Sequence, residues 1–179
     1  MMTVQTENGF RKVALWENEV PIAIDSDKKI EIEVEAGEKV WQERILCVEV
    51  KLNPRHASNY AMLCMQYKHI PTKKTRVVIH YGKSHKCEST DSLFNKKAIV
   101  GLDDFFAKEI CAFLKECPRG FFPEGVLEII GGAYDEVGSS YTSFKNTIEL
   151  LKWLFENYDK YNENSIGDVI LNKLCDYQN

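Results

Sequence analysis

Strict alternation of apolar and charged residues is the feature that most constrains the fold of this chain. In KIEIEVEA, residues 29–36, aliphatic side chains alternate with glutamates. ERILCVEVKL at 43–52 and TRVVIHYGK at 75–83 alternate in the same way. A period of two residues is typical of strands that bury one face. The first half of the chain therefore predicts a sheet. YAMLCMQY at 60–67 is ambiguous between a strand and a short helix.

The second half of the chain has the three- to four-residue spacing of amphipathic helices. The first stripe follows Gly101 and ends at Pro118, and it consists of Leu102, Phe105, Phe106, Ile110, Phe113, Leu114 and Cys117. A second helix is predicted from about residue 142 to about 158. A third is predicted from Ser165, its expected N-cap, to about Tyr177.

GVLEIIGG, residues 125–132, predicts one more strand between the first two helices, and its paired glycines permit a bulge. Strands grouped ahead of helices indicate an α+β fold. We expect a mostly antiparallel sheet of four to five strands, with two to three helices packed on one face.

The predicted organisation has three parts. Residues 1–28 form an N-terminal extension or edge segment, residues 29–158 form the α+β core domain, and residues 159–179 form a C-terminal helix packed on that core. A length of 179 residues suits a single domain.

Charge and composition narrow the class of protein. The net charge of −4 and the pI of about 5.6 disfavour a general nucleic-acid binder, because such proteins neutralise phosphates with a basic surface. The polar N-terminus lacks the apolar core of a signal peptide, and no apolar run is long enough to cross a membrane. We therefore expect a cytoplasmic protein with no membrane partner. The six cysteines include no CxxC pair and are expected to be reduced and mostly buried.

YDEVGSS, residues 134–140, lies between the GVLEIIGG strand and the second predicted helix. Ser139 or Ser140 is expected to cap that helix. Asp135 and Glu136 are adjacent, so on a strand they point to opposite faces and cannot act as a catalytic pair unless the loop is bent. The loop is therefore predicted first as a strand end and helix cap, and second as a functional tip made of Tyr134, Asp135, Glu136, Val137, Gly138, Ser139 and Ser140.

KHIPTKKTR, residues 68–76, is the strongest basic run in the sequence. Its cations, Lys68, Lys73, Lys74 and Arg76, form a candidate basic face for a phosphate backbone or an acidic partner. The competing interpretation is a solvated hairpin turn, which the Pro-Thr pair and the edge-protecting role of lysine favour.

The sequence contains no convincing catalytic or metal-binding motif. His80, His85 and Cys87 lie close together, but their spacing matches no standard zinc module. No G-x-S-x-G elbow and no G-x-x-x-x-G-K-[ST] phosphate loop are present. We therefore predict no enzyme activity, no metal site and no cofactor.

Residues 90–158 resemble domain IV of translation elongation factor G and of ribosome-protection proteins. The resemblance begins at LFNKKAIVG and continues through the first helix, GVLEII and YDEVGSSYTSF. The residues that match the tip loop of that family are Tyr134, Glu136, Val137, Ser139, Ser140 and Phe144. The resemblance implies a fold like the second domain of ribosomal protein S5, with a tip that approaches RNA in the ribosome.

Two positions of the loop depart from the pattern of that family. Asp135 replaces its histidine, and Gly138 replaces its aspartate. An anionic Asp135 would repel phosphates, whereas a histidine can donate a hydrogen bond or stack. The resemblance predicts a non-enzymatic protein that binds the ribosome or structured RNA. The alternative is a protein–protein interaction module of the immunity or adaptor type, whose acidic surface meets a basic protein partner.

Overall fold

The computed structural model describes residues 1–6, 11–52 and 59–172. It is an α+β fold with three helices and a mixed, mostly antiparallel sheet. The strands are β1 Met2–Gln5, β2 Arg11–Glu17, β3 Lys28–Glu35, β4 Arg44–Leu52, β5 Asn59–Lys68, β6 Lys74–Tyr81, β7 His85–Lys86, β8 Ile99–Val100 and β9 Gly125–Tyr134. The helices are α1 Asp104–Glu116, α2 Tyr141–Glu156 and α3 Glu163–Asn172.

The main path of the sheet has the order β1-β2-β4-β5-β9-β6-β3, and β7 and β8 attach to the end of β9. Every neighbouring pair is antiparallel except β6 and β9, which are parallel. A bulge interrupts the pairing of β5 with β9 between Cys64 and Met65, near the predicted glycine pair. Gly132 is needed there because a Cβ would lie 2.8 Å from the carbonyl oxygen of Met62.

In the described part of the chain the sheet has nine strands rather than the expected four to five. Two of the additional strands, β1 and β2, lie in the segment 1–28 that was predicted as an extension or edge, and β1 is an edge strand. Two others, β7 and β8, have two residues each. Strands this short show no alternation that a sequence pattern could reveal. The ambiguous segment at 60–67 is part of β5, because it pairs on both sides with long strands.

All three helices contribute to the hydrophobic core on one face of the sheet, as predicted. α2 packs across β4 and β5, α1 packs on β3 and β6, and α3 packs on β1. Trp41 joins the two layers, since its ring stacks on Phe155 with a centroid separation of 4.7 Å. This face is called the helical face below, and the opposite one the outer face.

The ends of the helices follow from local hydrogen bonds. Ser140 is the N-cap of α2 and forms a capping box with Ser143, which confirms one of the two predicted caps. The expected cap of α3 is wrong by three residues. The side chain of Asn162 accepts from the Ser165 amide at 3.0 Å, and Ser165 Oγ accepts from the Asn162 amide at 2.8 Å. The predicted end of α3 near Tyr177 lies outside the described residues.

The outer face is divided into two halves. The covered half lies under the segments 18–26 and 87–98, and its buried residues from the strands are Ala14, Trp16, Cys47, Glu49, Tyr60, Met62, Cys64 and Ala133. The open half has no such cover within the described residues. Its outward residues are Lys29, Glu31, Glu33 and Glu35 of β3, Lys74, Arg76, Val78 and His80 of β6, Val126 and Glu128 of β9, and Gln66 and Lys68 of β5.

Within residues 1–6, 11–52 and 59–172, none of the helices is long and apolar enough to cross a membrane.

Candidate functional site

The loop that follows β9 is a tight turn held by the carboxylate of Asp135. Oδ1 of Asp135 accepts from the backbone amides of Val137 and Gly138 at 3.0 and 3.1 Å. Oδ2 accepts from the side-chain amide of Asn95 at 3.1 Å. An aspartate that bonds to the backbone two residues ahead is a common way to stabilise a turn. Both oxygens of this carboxylate therefore have structural partners.

The two serines of the loop are also engaged. Ser139 Oγ donates to the carbonyl oxygen of Tyr60 at 2.6 Å and accepts from the Asp135 amide at 2.8 Å. Ser140 caps α2. Neither hydroxyl has a histidine among these partners, so the arrangement is that of a strand end and helix cap.

The exposed residues of the loop are its apex, Glu136 and Val137, and the cap residue Ser140. Tyr134 is buried, and its ring lies 5.0 Å from that of Phe106. Gly138 is buried and accepts a hydrogen bond from the Tyr60 amide at 3.0 Å. Glu136 and Val137 are exposed, and Val137 has 92% of its surface accessible. A partner at this tip would meet one carboxylate and one aliphatic side chain.

The electrostatics of Asp135 agree with a structural carboxylate. Partial burial raises the pKa of Asp135, but the hydrogen bonds from Asn95, Val137 and Gly138 together lower it by more than burial raises it. The net effect is a pKa below the usual aspartate value. Asp135 is therefore an anion near neutral pH, and its negative charge serves the turn.

A second carboxylate, Glu49, lies deeper in the covered half and was missed by the sequence analysis as a site residue. Its side chain accepts three hydrogen bonds: from Tyr60 Oη at 3.0 Å, from the Phe94 amide at 2.8 Å and from the Asn95 amide at 3.0 Å. Glu49 is fully buried. It fastens the covering segment 87–98 to β4, and Asn95 then links that segment to Asp135.

Burial raises the pKa of Glu49, and its three hydrogen bonds and the nearby Lys12 oppose that rise. Burial is the largest cause that raises the pKa of Tyr60, and the negative charge of Glu49 is the second. The phenol therefore stays protonated and donates its hydrogen bond to Glu49. The alternation of β4 correctly predicts that Glu49 points away from the helices. In the sequence, the burial of Glu49 is indicated only by the long loop at 84–98, because a loop of this length has to lie over some part of the fold.

The covered half also contains a disulfide between Cys47 and Cys64, so the expectation that all thiols are reduced is wrong for this pair. The two residues face each other across β4 and β5, and both are fully buried. Sequence spacing alone cannot reveal this pairing because it depends on strand register. Cys87, Cys111 and Cys117 are free thiols.

The basic run lies at the end of the open half, and its cations are close to glutamates. Lys68, Lys73, Lys74 and Arg76 are all exposed. Lys74 forms an ion pair with Glu33, and Arg76 faces Glu33 across β3 and β6. The three glutamates of β3 thus lie beside the cations of β6, so this surface has mixed charge.

The predicted hairpin at this run is also wrong in its geometry. β5 and β6 are not neighbours, because β9 lies between them. The connection from Lys68 to Lys74 therefore passes the beginning of β9, where Glu124 accepts from the Lys73 amide at 3.0 Å. The sequence could not show this, because β9 comes much later in the chain.

The tip loop and the basic residues lie at opposite ends of β9. Lys68 is paired with Val126 at the start of that strand, whereas the tip follows its last residue, Tyr134. A strand rises about 3.4 Å per residue, so the two regions are roughly 30 Å apart along β9. They cannot form one compact contact surface.

The structure does not bring His80, His85 and Cys87 together as a set of ligands. His80 Nε2 lies 3.2 Å from Glu128 Oε2 on the open half, whereas His85 is in β7. Burial raises the pKa of the Cys87 thiol. In the described part of the chain, no three His, Cys, Asp or Glu side chains are placed to hold a metal ion.

Comparisons of this chain with protein-family models, with curated proteins and with solved structures found no match. The resemblance of residues 90–158 to domain IV of elongation factor G therefore stays a prediction.

Proposed function

We propose that this chain is a non-enzymatic binding protein that recognises a protein partner through the open half of its outer face. One observation carries the proposal: segments of the chain cover one half of this face, whereas the other half has rows of accessible charged side chains around the buried Val78 and Val126. The rows lie on paired strands, so their spacing is fixed before a partner arrives. A surface that is already ordered loses little entropy on binding.

The charges of the open half favour a protein over a nucleic acid. Glu31, Glu33 and Glu35 point outward on β3, and Glu128 points outward on β9. A phosphate backbone laid over Lys74 and Arg76 would meet these carboxylates, and repulsion would cost affinity. A protein surface can oppose each sign with its complement, which gives specificity as well as affinity.

The covered half and the tip are less suited than the open half to bind a partner. The polar groups of Glu49 and Asp135 are occupied by hydrogen bonds within the chain. No constellation of nucleophile and base was found among the residues of the tip. Of these three regions, the open half is therefore the one on which ordered polar side chains are accessible.

A charge swap tests the proposal without disturbing the fold. In the double variant Glu33→Arg with Arg76→Glu, the two facing residues still attract each other and the net charge is unchanged, while the exposed ion pair of Glu33 with Lys74 is lost. Exposed pairs of this kind contribute about 0–1 kcal/mol, so the thermal stability should be close to that of the wild type. The tagged protein and the variant are incubated with a lysate of the native cells, and co-purifying proteins are quantified by mass spectrometry.

The control swaps a less exposed pair on the helical side, Lys145→Glu with Glu149→Lys. We expect a protein that co-purifies with the wild type and the control at equal levels to be depleted about tenfold or more by the Glu33/Arg76 swap. Equal recovery of every captured protein by all three chains would contradict the proposed surface.

The ribosome or a structured RNA is the second candidate partner. The order α1, β9, loop, α2 agrees with the element order of the predicted domain IV resemblance, and Val137 is exposed at the tip. Lys68 and Lys73 make no side-chain ion pair with the described residues. Salt-sensitive co-sedimentation with ribosomes, lost when Lys73, Lys74 and Arg76 are changed to alanine, would support this candidate over the first. No sedimentation at low salt would remove it.

A further inference from the structure

The strand β3 is an edge of the sheet that the chain leaves available for pairing. It is the last strand on the main path and, among the described residues, it pairs only with β6. The strand has eight residues in uninterrupted register from Lys28 to Glu35. The other edge strand, β1, has four residues and packs against α3. An exposed row of backbone amides and carbonyls on a long, regular edge is a template for another strand.

The two faces of β3 determine what an added strand would meet. On the outer face it would lie beside Lys29, Glu31 and Glu33, with Glu35 at the end of the strand. On the helical face it would lie beside Ile30, Ile32 and Val34, which are half-buried against the core that α1 helps to form. The added strand would therefore extend both the charged layer and the apolar layer of the sheet.

The outer row of β3 selects the charge of the added strand. Neighbouring strands are about 4.8 Å apart, so the glutamates would be adjacent to its outward side chains, whereas the cations of β6 would be about 10 Å away. Opposite charges at facing positions stabilise strand pairing, and like charges destabilise it. The exposed pairs that Glu31 and Glu33 form with Lys29 and Lys74 are weak and can be exchanged for partners on the added strand.

A second copy of this chain complements the edge only in part. If two β3 strands pair in antiparallel fashion about the middle of the strand, Glu31 lies opposite Glu31 or Glu33, whereas Lys29 lies opposite Glu33 or Glu35. If they pair in parallel and in register, every glutamate lies beside another. Each arrangement places some carboxylates against carboxylates, which weakens self-pairing relative to a strand that places a cation opposite both Glu31 and Glu33.

Resting on the function proposed above, we propose that the protein partner docks an extended segment as an additional strand on the edge of β3. In that segment lysine or arginine alternates with aliphatic residues. The contact extends from Lys28 to Val34, because the carbonyl oxygen of Glu35 already accepts from the Gly120 amide at 3.1 Å. Main-chain hydrogen bonds supply affinity, and the alternating side chains supply specificity.

A synthetic peptide tests this mode of binding directly. The probe is a short fluorescein-labelled peptide in which lysine alternates with valine. Two comparison peptides have the same length: one groups its lysines at one end, and the other replaces lysine with glutamate. Affinity is measured by fluorescence anisotropy, and amide hydrogen exchange of the full chain locates the contact. We expect the alternating peptide to bind tightest and to protect the amides of residues 28–34.

Two matched variants distinguish binding at the β3 edge from a general attraction between the cationic peptide and the acidic protein. The double variant Glu31→Gln with Glu33→Gln removes the carboxylates within the contact, and Glu19→Gln with Glu88→Gln removes the same charge from exposed positions elsewhere. Two facing pairs predict a loss of affinity of about fivefold in the first variant and little change in the second. Equal losses in the two variants, or binding with no protection at 28–34, would overturn the β3 docking mode.

The outcomes also distinguish this inference from the proposed function. If the Glu33/Arg76 swap abolishes capture of the cellular partner while the peptide leaves β3 unprotected, the open half binds the partner but strand addition is wrong. If the swap leaves capture unchanged and β3 is also unprotected, both proposals fail.

Discussion

The two halves of the outer face use the same strands for different purposes. In the covered half a carboxylate, Glu49, is fully buried and accepts three hydrogen bonds from the chain that lies over it. In the open half the carboxylates of β3 are exposed and lie beside cations of β6. Both sets come from the outward positions of alternating strands. Whether a charged residue stabilises the fold or remains available to a partner is decided by the segment that covers it.

The largest expected effect of a single substitution is at Glu49. The change Glu49→Ala leaves the Tyr60 hydroxyl and the amides of Phe94 and Asn95 without an acceptor in a buried site. Each unsatisfied donor costs about 1–3 kcal/mol, so we expect a loss of roughly 3–5 kcal/mol in the free energy of unfolding. Chemical denaturation measures this loss. Glu33→Ala is the control in the open half, and we expect it to change the free energy of unfolding by no more than about 0.5 kcal/mol. Similar losses in the two variants would show that the halves do not differ in this way.

Removal of the disulfide is expected to have the next largest effect. The cross-link joins residues 17 positions apart, and loops of this length stabilise a fold by about 3 kcal/mol in the chain-entropy model. The double variant Cys47→Ala with Cys64→Ala should therefore unfold at a lower denaturant concentration. Mass spectrometry after alkylation of the unfolded, unreduced protein should find these two cysteines unmodified and Cys111 modified. Alkylation of Cys47 and Cys64 before reduction would show that the pair is reduced.

A smaller effect is expected at the turn that adjoins the covered half. Asp135→Ala removes the acceptor of the Val137 and Gly138 amides and of Asn95, and we expect a loss of about 1–2 kcal/mol. Asp135→Asn keeps an oxygen for the two amides and should lose less. Val137→Ala changes only an exposed side chain and should be near neutral. Denaturation of the three variants checks this order, and a destabilising Val137→Ala would indicate that the tip packs on another part of the chain.

The smallest expected effects concern the dependence of stability on pH. The folded pKa of Glu49 is raised, so the contribution of this group falls as pH rises from its unfolded value of about 4.3 through its folded pKa. The folded pKa of Asp135 is lowered, so its contribution is present above about 3.9 and is lost as pH falls through the folded pKa. The free energy of unfolding is measured against pH for the wild type and for Glu49→Gln and Asp135→Asn, and each difference gives the slope that the group contributes. If both groups contributed slopes of the same sign, the buried environment of Glu49 or the hydrogen-bonded environment of Asp135 would be wrong.

The sequence predicts those features that depend on local periodicity. Alternation identifies β3, β4 and β6, and the spacing of apolar residues identifies α1 and α2. Ser140 is identified as a cap because the chemistry of a helix start is local. The position of β9 between β5 and β6 is not predictable in this way, since it brings together segments that are distant in the chain.

The sequence does not reveal the burial of Glu49 or the pairing of Cys47 with Cys64, and the reason is the same for both. An outward glutamate on an alternating strand looks like the glutamates of β3, and only the path of the segment 87–98 distinguishes them. Two cysteines on different strands become partners only through the register of β4 and β5. The sequence therefore predicts which face a residue points to, but not what covers that face.

Site-specific photo-crosslinking in the native cells can decide whether the open half or the tip contacts the partner. A photo-reactive amino acid is placed at Arg76 in the open half and, in a second chain, at Val137 at the tip. We expect a protein adduct from position 76 that resists ribonuclease, and no adduct from position 137. An adduct confined to position 137, or one that disappears after ribonuclease treatment, would contradict the assignment of the open half as the binding surface.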